Sequence, residues 1–360
     1  MKFVHIADIH FDSPFTNLSD RKGLGDNIRL EQRKAFTKVI EYIKQHNTPF
    51  LFISGDLYEH TYIRKSTIEY INNLFKQIPQ TKIFITPGNH DPYIKNSYYN
   101  QFNWNENVKI FKGAIEKVQL DGINIYGYGF TDFYCKQCGI ENLELDEKNK
   151  LNILVIHTSL DGSGDEKQEY NPISKKTLKE KGFDYCALGH IHKKYYNEEQ
   201  NQNIVYPGST VSLGFDELGA HGMIVGDITK ESINIEFVEI EQTEFTELEL
   251  DCTQINDIDE LIEKINEINL KEKSLYKIIL TGKRNFEINT YNLFKYNLDE
   301  KIIKIKNKTK PKYDLEKLSN ENTLKGLFAA EMLERLKKVE NEEEKEIIQG
   351  AIEIGLEVLE

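Results

Sequence analysis

Six short apolar runs, most of them ending in a polar cluster, constrain the fold of this chain more than any other feature. They are KFVHIAD, PFLFISGD, TKIFITPGNHD, LNILVIH, FDYCALGH and NIVYPGS, and five of them end in residues rich in Asp, Asn and His. Runs of this length between helical stretches are typical of a layered α/β domain. We therefore expect the polar ends to meet at one edge of the sheet, where such folds bind ligands.

Helical patterns separate the first three runs. Between the first two, one helix face is predicted by apolar residues at Phe36, Val39, Ile40 and Ile43. Between the second and third, Ser66 and Glu69 have capping-box spacing ahead of a further apolar stretch, which predicts a helix that begins there.

The pattern changes after residue 240, where we expect a small α+β domain at 241–312 to follow a first domain at 1–240. TELELDC and YKIILTG, both strand-like, flank a helical pattern, and KIIKIKNKTKPK follows. Pro311 and the change to an acidic, leucine-rich sequence place the end of this second domain near 312. The last segment, 313–360, is predicted to form a helical hairpin with arms at 323–339 and about 343–359.

The polar ends of the apolar runs carry metal-ligand chemistry. In chain order they read D-x-H, G-D, G-N-H-D, a lone strand-end histidine and G-H-x-H, with polar residues Asp8, His10, Asp56, Asn89, His90, Asp91, His157, His190 and His192. Carboxylate and amide oxygens mixed with imidazoles suit Mn²⁺, Fe²⁺ or Zn²⁺ better than Ca²⁺. Seven ligands of these types exceed the needs of one tetrahedral ion. Two ions about 3.5 to 4 Å apart that share a carboxylate would use them.

The G-H-x-H motif has the spacing that such an ion pair requires. Residues i and i+2 of an extended segment lie on one face, roughly 6.5 Å apart, so His190 and His192 can each reach a different ion while Ile191 points back into the protein. Each motif alone has a simpler explanation, as a strand-end turn or, for His157, as a buried core histidine. The five motifs together, in this order, favour a shared metal site.

These motifs resemble those of the calcineurin-like metallophosphoesterases over about residues 1–240. The segments MKFVHIADIHFDSPF, SGDLYE, TPGNHD, ALGHIH and YPGS are more specifically similar to SbcD-type DNA repair nucleases, and among these to the YhaO branch. The resemblance implies an α/β metallophosphoesterase fold, in which helices flank a central β-sandwich. A small α+β capping domain and carboxyl-terminal helices would follow.

The resemblance also implies two metal positions with a common ligand. The first position would consist of Asp8, His10 and His192, the second position of Asn89, His157 and His190, and the bridging ligand would be Asp56. The ions implied are Mn²⁺, with Fe²⁺, Zn²⁺ or Mg²⁺ as alternatives.

Two further residues receive catalytic roles from the resemblance. His90 would be the histidine that binds no metal and that stabilises or protonates the leaving oxygen. Glu59 follows Asp56 by three residues, where a carboxylate or histidine close to the catalytic histidine is common in this family. We expect Glu59 to orient His90 and raise its pKa; the alternative is a solvated loop glutamate.

The net charge of −13 argues at first sight against nucleic-acid binding. However, residues 314–360 carry 13 acidic and 6 basic side chains, so the rest of the chain has a net charge of only −6. On an extended strand Lys304, Lys306 and Lys308 would share one face, where they could follow a DNA backbone or protect a sheet edge. For Lys193 and Lys194, beside G-H-x-H, DNA contact and simple solvation are both open.

The function implied by the resemblance is that of a DNA exonuclease or endonuclease in DNA repair, acting with an SMC-like coiled-coil ATPase. The carboxyl-terminal helices would dock on that ATPase through their apolar residues, which could equally pack on one another or on the second domain. The alternatives are a phosphodiesterase or phosphatase for small or nucleotide-like substrates, and a scaffold for DNA and the ATPase. A homodimer is compatible with the sequence. The chain has no long apolar run, and Asp8 interrupts its amino-terminal segment, so we expect a cytoplasmic protein without a membrane segment.

The remaining cysteines and histidines have simpler interpretations. Cys135 and Cys138 form a lone C-x-x-C that we interpret as a plain loop, because a structural zinc site would need two more ligands at matching spacing. We expect His5 to pack beneath the site and Asp91 to fix its loop, whereas His46 is a surface residue at a helix end. His60 and His221 are loop candidates for substrate contact.

Overall fold

The computed structural model describes residues 1–15, 23–145, 147–161, 170–196 and 203–359. The chain divides into two compact units, Met1–Thr246 with Lys271–Leu275 and Glu247–Leu270 with Tyr276–Glu360. The domain boundaries at 240 and 312 stay predictions.

The first unit contains two β-sheets. The strands of the first sheet are β1 (Lys2–Ile6), β2 (Phe50–Ile53), β3 (Lys82–Ile85), β4 (Val108–Ile110), β10 (Gly222–Ile228) and β11 (Ile233–Glu239), in the order β11-β10-β1-β2-β3-β4. The second sheet has the order β5-β6-β7-β8-β9, with strands Glu116–Leu120, Ile123–Tyr128, Leu151–His157, Tyr185–Gly189 and Ile204–Val205. Within them, β1 to β4 and β6 to β9 run parallel, whereas β5, β10 and β11 pair antiparallel.

Large apolar side chains from both sheets pack against each other in one core cluster. Phe3, Phe52 and Phe84 come from the first sheet, and Ile153 and Tyr185 come from the second. Helices α1 (Leu24–His46) and α2 (Lys65–Phe75) cover the outer face of the first sheet, and α4 (Lys175–Lys181) packs on the second. The short helices α3 (Tyr98–Gln101) and Ile140–Asn142 complete this unit. The predicted β-sandwich flanked by helices is confirmed.

The six apolar runs all form strands, but they divide equally between the two sheets. β1, β2 and β3 belong to the first sheet, and β7, β8 and β9 belong to the second. The expectation of a single sheet edge is therefore wrong in detail, since the polar ends meet where the carboxyl ends of two facing sheets come together. An isolated bridge between Ala7 and Ser209 joins the two sheets at this end.

The structure confirms the buried face predicted for α1 and contradicts the capping box predicted for α2. Phe36, Val39, Ile40 and Ile43 are all buried on α1, as their spacing predicts. The capping box at Ser66 is wrong, because α2 begins at Lys65, before that residue. Asp12, from the loop after β1, serves this helix end instead, since its carboxylate accepts hydrogen bonds from Arg64 N at 3.0 Å and Thr67 Oγ1 at 2.7 Å.

The second unit is built on a three-stranded sheet of β12 (Glu244–Asp251), β13 (Ser274–Thr281) and β15 (Ile302–Asn307), in that order. The first residues of β12 and β13 belong to the first unit. A short parallel pair, β14 (Lys283–Arg284) and β16 (Lys310–Pro311), and helices α5 (Ile258–Asn266) and α6 (Thr290–Leu293) complete the predicted α+β arrangement.

The carboxyl-terminal helices are α7 (Leu315–Leu318), α8 (Leu324–Lys338) and α9 (Glu342–Val358). Helices α8 and α9 pack together around Met332, Ile352 and Leu356. Among the described helices, none has the length and apolar character that a membrane span requires.

Candidate metal centre

The backbone turns sharply at four of the predicted ligands. Asp8 and His10 follow β1, Asp56 follows β2 and His190 follows β8, and these residues have φ values of 53°, 51°, 51° and 109°. Positive φ is unfavourable for residues that carry a β-carbon. Such strain persists where surrounding contacts hold the backbone in place, and it is concentrated at functional sites.

Two glycines allow the strand ends to come this close. A β-carbon on Gly189 would collide with the carbonyl oxygen of Ser54, the residue that follows β2 of the other sheet. A β-carbon on Gly88 would collide with the carboxylate of Asp56. The glycines of the G-H-x-H and G-N-H-D motifs are therefore needed for close approach.

The side chains that follow these turns form overlapping groups. The ligand atoms of Asp8, His10 and His192 lie within 4.8 Å of one another, as do those of Asp8, Asp56 and His157. A third such group contains His10, Asp56 and His90. The structure thus gathers ligands from the carboxyl ends of β1, β2, β7 and β8 around one cleft.

The predicted ligands of the second position are less closely grouped. His157 Nε2 lies 3.0 Å from Asn89 Oδ1 and 3.3 Å from Asp56 Oδ2. His190 donates its backbone N–H to the Asp8 carboxylate at 3.1 Å, and its ring packs beside that of His157 with centroids 5.2 Å apart. The ring of His190 lies next to the group without joining it.

His10 and His192 show why a cation fits this cleft. Their Nε2 atoms lie 3.1 Å apart, while Nδ1 of His10 faces Glu59 Oε1 at 2.8 Å and Nδ1 of His192 faces Glu217 Oε1 at 2.5 Å. An ionised carboxylate can only accept, so each Nδ1 carries a proton, and a ring that is neutral presents a lone pair at Nε2. Facing lone pairs repel unless a proton or a cation lies between them. Imidazoles beside buried carboxylates are the donor set of a divalent transition metal.

Glu59 bridges two histidines of the cleft. Its Oε1 accepts from His10, and its Oε2 accepts from His90 Nδ1 at 3.0 Å. Burial alone would raise the pKa of Glu59, but the hydrogen bonds from His10 and His90 lower it to about 2. The family resemblance implied the contact with His90; nothing in the sequence indicated the contact with His10.

The charged and hydrogen-bonding groups of the cleft change the pKa of His90. Partial burial lowers the pKa of this imidazole, but the Asp56 charge and the Glu59 hydrogen bond outweigh it and raise the pKa to about 10. For Asp56, burial opposes ionisation, and the charges of His157 and His90 lower its pKa. His90 also donates its backbone N–H to Asp56 Oδ1 at 2.8 Å. The cleft therefore favours a protonated His90 beside an ionised Asp56.

Glu217 is a functional candidate that the sequence analysis missed. Besides facing His192, it accepts a hydrogen bond from Ser209 Oγ at 2.6 Å. His221, a candidate for substrate contact by sequence, is buried in this network, with Nδ1 3.0 Å from Ser209 Oγ and Nε2 2.8 Å from the Glu217 carbonyl oxygen. In the sequence, the signal that pointed toward Glu217 was Ser209, which ends the sixth apolar run. Its hydroxyl donates a hydrogen bond to Glu217 and so connects this residue to the site.

Asp91 holds the loops of the site from below, as expected. Its carboxylate accepts from Gly88 N at 2.6 Å, Leu57 N at 2.7 Å and the Tyr99 hydroxyl at 2.6 Å. Burial, together with the neighbouring Asp56 charge, raises the pKa of Asp91 to about 6. This carboxylate therefore fixes the turns after β2 and β3 rather than facing the metal ligands.

His5 is buried beneath the site, also as expected. Its Nδ1 lies 2.9 Å from the Tyr185 hydroxyl and its Nε2 lies 3.0 Å from Ser54 Oγ. Since the Ser54 hydroxyl donates to Ala187 O, Nε2 of His5 carries the proton that Ser54 accepts. Burial lowers the pKa of His5 to about 3. His157 Nδ1 donates to Ser54 O at 2.9 Å, so the same serine orients a predicted ligand.

The lysines proposed for DNA contact lie in both units. Lys193 is exposed beside the cleft, whereas Lys194 Nζ lies 4.2 Å from the ring centroid of Phe237. Lys304, Lys306 and Lys308 are exposed on and just after β15, an edge strand of the second unit's sheet. Both alternatives, DNA contact and edge protection, therefore fit these three residues.

The C-x-x-C segment has the features of a plain loop. Cys135 Sγ lies 3.3 Å from the Tyr128 hydroxyl. Burial raises the pKa of both thiols, that of Cys138 to about 11. Within the described ranges no group of potential metal ligands includes a cysteine. Protonated thiols are poor metal ligands and poor nucleophiles.

Taken with the sandwich fold, the clustered donors define a metal-dependent phosphoesterase. A model of the calcineurin-like phosphoesterase family matches residues 1–194, more than half of the chain. The protein belongs to this family, whose members use a dinuclear metal centre.

The chain is also similar to two individual members of related groups. The chain is 23% identical over 276 residues to the uncharacterized metallophosphoesterase YhaO of Bacillus subtilis (strain 168), an alignment covering 74% of this chain and 67% of YhaO. It is 26% identical over 253 residues to the SbcD subunit of the nuclease SbcCD from Staphylococcus epidermidis, covering 61% of this chain and 63% of SbcD. The similarity thus spans about two thirds of each relative.

Proposed function

We propose that this protein is a Mn²⁺-dependent DNA nuclease of the SbcD type, acting as an exonuclease or endonuclease in DNA repair. The observation that carries the proposal is the convergence of His10 Nε2 and His192 Nε2, 3.1 Å apart, beside two buried carboxylates. Similarity to a subunit of a nuclease supports DNA as the phosphodiester substrate.

The residues would divide between two ions as the family pattern implies. The first position is Asp8, His10 and His192, the second position is Asn89, His157 and His190, and Asp56 is shared. When bound, two such ions polarise a phosphoryl group and supply a nucleophilic hydroxide near neutral pH. Mn²⁺ suits this mixed oxygen and imidazole set, and Fe²⁺, Zn²⁺ and Mg²⁺ are the alternatives.

In this mechanism His90 holds the proton that the leaving oxygen needs. The Asp56 charge and the Glu59 hydrogen bond raise its pKa against the effect of burial, which favours the protonated imidazole. Because Glu59 accepts from Nδ1, the ring is held in one orientation and Nε2–H remains available as a donor. A positioned general acid of this kind typically contributes about 10² to 10⁴ in rate.

Glu59 is a positioning residue for this acid. It fixes the ring of His90 and supplies part of the charge that keeps it protonated. Through Oε1 it also orients His10, so one carboxylate connects the general acid to a ligand of the first position.

We further propose an SMC-like coiled-coil ATPase as partner, in the cytoplasm. On α8 and α9, Phe328, Leu336, Ile348 and Ile352 pack within the helical hairpin. A second set of apolar residues stays exposed: Leu324, Leu327, Ile347, Ile354 and Val358. This set would contact the coiled coil. Leu327→Glu together with Ile347→Glu should abolish co-migration of the purified pair in gel filtration, and an unchanged complex would refute this interface.

A Mn²⁺-dependent nuclease assay on end-labelled DNA tests the main proposal. We expect wild-type protein to shorten or cut the DNA and His90→Ala to be slower by about 10² to 10⁴. His46→Ala is the matched control, since His46 is an exposed histidine that stacks on Tyr42 at the end of α1.

The alternative functions give different results. Hydrolysis of a small diester without cleavage of DNA would identify a phosphodiesterase for small or nucleotide-like substrates. Wild-type DNA processing by His90→Ala would favour a scaffold.

The variant Lys193→Ala tests DNA contact at this lysine. It should weaken DNA binding and reduce the salt dependence of the binding constant by the amount expected for about one phosphate contact. An unchanged salt dependence would leave Lys193 as a solvated residue.

A further inference from the structure

Two exposed aromatic side chains lie beside the candidate metal centre. Phe133 is 39% exposed and Tyr134 is 57% exposed, although both are large apolar groups. The ring of Tyr134 lies 6.0 Å from that of Tyr170, which lies 5.1 Å from the imidazole of His190. A short series of rings therefore leads outward from the second position.

Phe133 contacts a different loop of the site, the one that carries His60. Its ring centroid lies 5.9 Å from that of His60, whose backbone N–H donates to the His90 carbonyl oxygen at 2.9 Å. Phe133 is thus connected through His60 to the loop of His90, and Tyr134 is connected through Tyr170 to His190.

The segment that carries these rings is fixed to the metal strands. Asn171 N donates to Cys135 O at 2.5 Å, and Asn171 Oδ1 accepts from Cys138 N at 3.1 Å. The same asparagine donates from Nδ2 to the carbonyl oxygen of His157 at 3.1 Å. The positions of the two exposed rings are therefore set relative to a predicted ligand.

We propose that Phe133, Tyr134 and Tyr170 stack on unpaired nucleobases of the strand whose phosphate lies at the metal centre. This inference rests on the proposed nuclease function. A phosphate held in the cleft leaves the bases on either side of it within reach of rings that lie beside the centre. Every base has a π-face, so aromatic stacking binds single strands with little sequence preference.

The substrate class that follows is a single strand or an unpaired end. In a duplex the faces of a base are covered by its neighbours, whereas an unpaired base can stack on a protein ring. A protein partner seated on Phe133 and Tyr134 would instead cover the rim of the cleft that the substrate must enter. The position of the rings therefore favours nucleobases as the occupant.

Paired oligonucleotides test this inference. One is an end-labelled single strand, and the other has the same backbone without bases. We expect wild-type kcat/KM to favour the base-bearing strand by roughly tenfold or more. The double variant Phe133→Ala/Tyr134→Ala, which retains only Tyr170, should lose most of this preference, because its rate should fall more on the base-bearing strand than on the abasic strand. Tyr134→Phe should keep the preference.

The controls separate stacking from folding and from the nuclease proposal itself. Tyr291→Ala removes a 78% exposed aromatic residue of the second unit and should change neither rate. The double variant should unfold at the wild-type temperature. An equal loss on both strands, or no loss on either, would overturn the stacking proposal. If wild-type protein cleaves both strands without preference, stacking fails and the nuclease stands; if it cleaves neither, the nuclease proposal fails.

Discussion

The two proposed metal positions would share Asp56, but they differ in what lies behind their histidines. At the first position, Nδ1 of His10 faces Glu59 and Nδ1 of His192 faces Glu217. At the second position, His157 donates instead to the neutral carbonyl oxygen of Ser54. The described structure gives the ring of His190 aromatic neighbours but no carboxylate partner.

This difference predicts unequal affinity for metal. A carboxylate that accepts from Nδ1 raises the basicity of the imidazole and fixes its orientation. The first position also contains Asp8, whereas the second contains the neutral Asn89. We therefore expect the first position to fill first and the second to fill at higher metal concentration.

Loss of the shared ligand should weaken metal binding at both positions and give the largest effect. Asp56→Asn deprives both positions of their common carboxylate, so bound metal should fall below one ion per chain by elemental analysis. We expect diester hydrolysis to fall by more than roughly 10³-fold, as befits a loss of several kcal/mol of transition-state stabilisation. Asp121→Asn, in an exposed turn, is the control. Retention of both ions by Asp56→Asn would contradict the bridging role.

The next largest effect should come from Glu59→Gln, which acts on one position and on the general acid together. The amide keeps the shape of the side chain but removes its charge, so kcat should fall by roughly 10 to 100-fold. Activity that needs protonated His90 is lost as pH rises through its pKa, which the Asp56 charge and the Glu59 hydrogen bond raise against the effect of burial. In Glu59→Gln this pKa falls, and the alkaline limb of the kcat profile should move to lower pH.

Two results would oppose this role for Glu59. Unimpaired turnover in Glu59→Gln would show that it is a solvated loop residue. A lower kcat with an unmoved alkaline limb would show that it does not supply the charge on His90. Glu41→Gln, an exposed glutamate of α1, controls for the general effect of removing a negative charge.

The variant Glu217→Gln should weaken metal binding at the first position but not at the second. We expect Mn²⁺ affinity at the first position to fall by roughly tenfold, because His192 loses its carboxylate partner, while affinity at the second position is unchanged. Calorimetric titration of the metal-free protein measures both steps, with exposed Glu231→Gln as the control. Equal weakening of both steps would show that the carboxylates act on the whole cleft.

The sequence predicted the parts of this centre that stand in local patterns. Asp8, Asp56 and His157 could be found because each lies at the end of an apolar run, and strand ends converge in layered α/β folds. The two facing sheets were implied only by the family resemblance, because an apolar run by itself carries no information on which sheet it joins.

The rest depends on contacts between distant segments. Glu217 lies 25 residues after His192, in a loop without a recognisable motif, and reaches it only through the fold. The Ser66 capping box failed for a similar reason, because Asp12 from another loop satisfies the start of α2. Local spacing cannot show which distant group will occupy a helix end or a histidine's second nitrogen.

The smallest expected effect concerns the protons released when metal binds. Burial lowers the pKa of His192, but its hydrogen bond to Glu217 raises it to about 9, whereas burial lowers the pKa of His190 to about 3. A metal requires a neutral imidazole, so at pH 7 His192 must lose a proton and His190 has none to lose. At the second position His157, with a pKa raised by Asp56 to about 9 against the effect of burial, supplies the proton instead.

Affinity for the first ion should therefore rise with pH between 7 and 9, by at most about tenfold per unit, and become constant above the pKa of His192. Titration in two buffers of different ionisation enthalpy measures the protons released at each step. His190→Ala should leave the release on the first step unchanged, while Glu217→Gln should reduce it, because the His192 pKa falls. A first step that releases no proton at pH 7 would show that Glu217 does not charge His192, and the difference between the two positions would then rest on Asp8 and Asn89 alone.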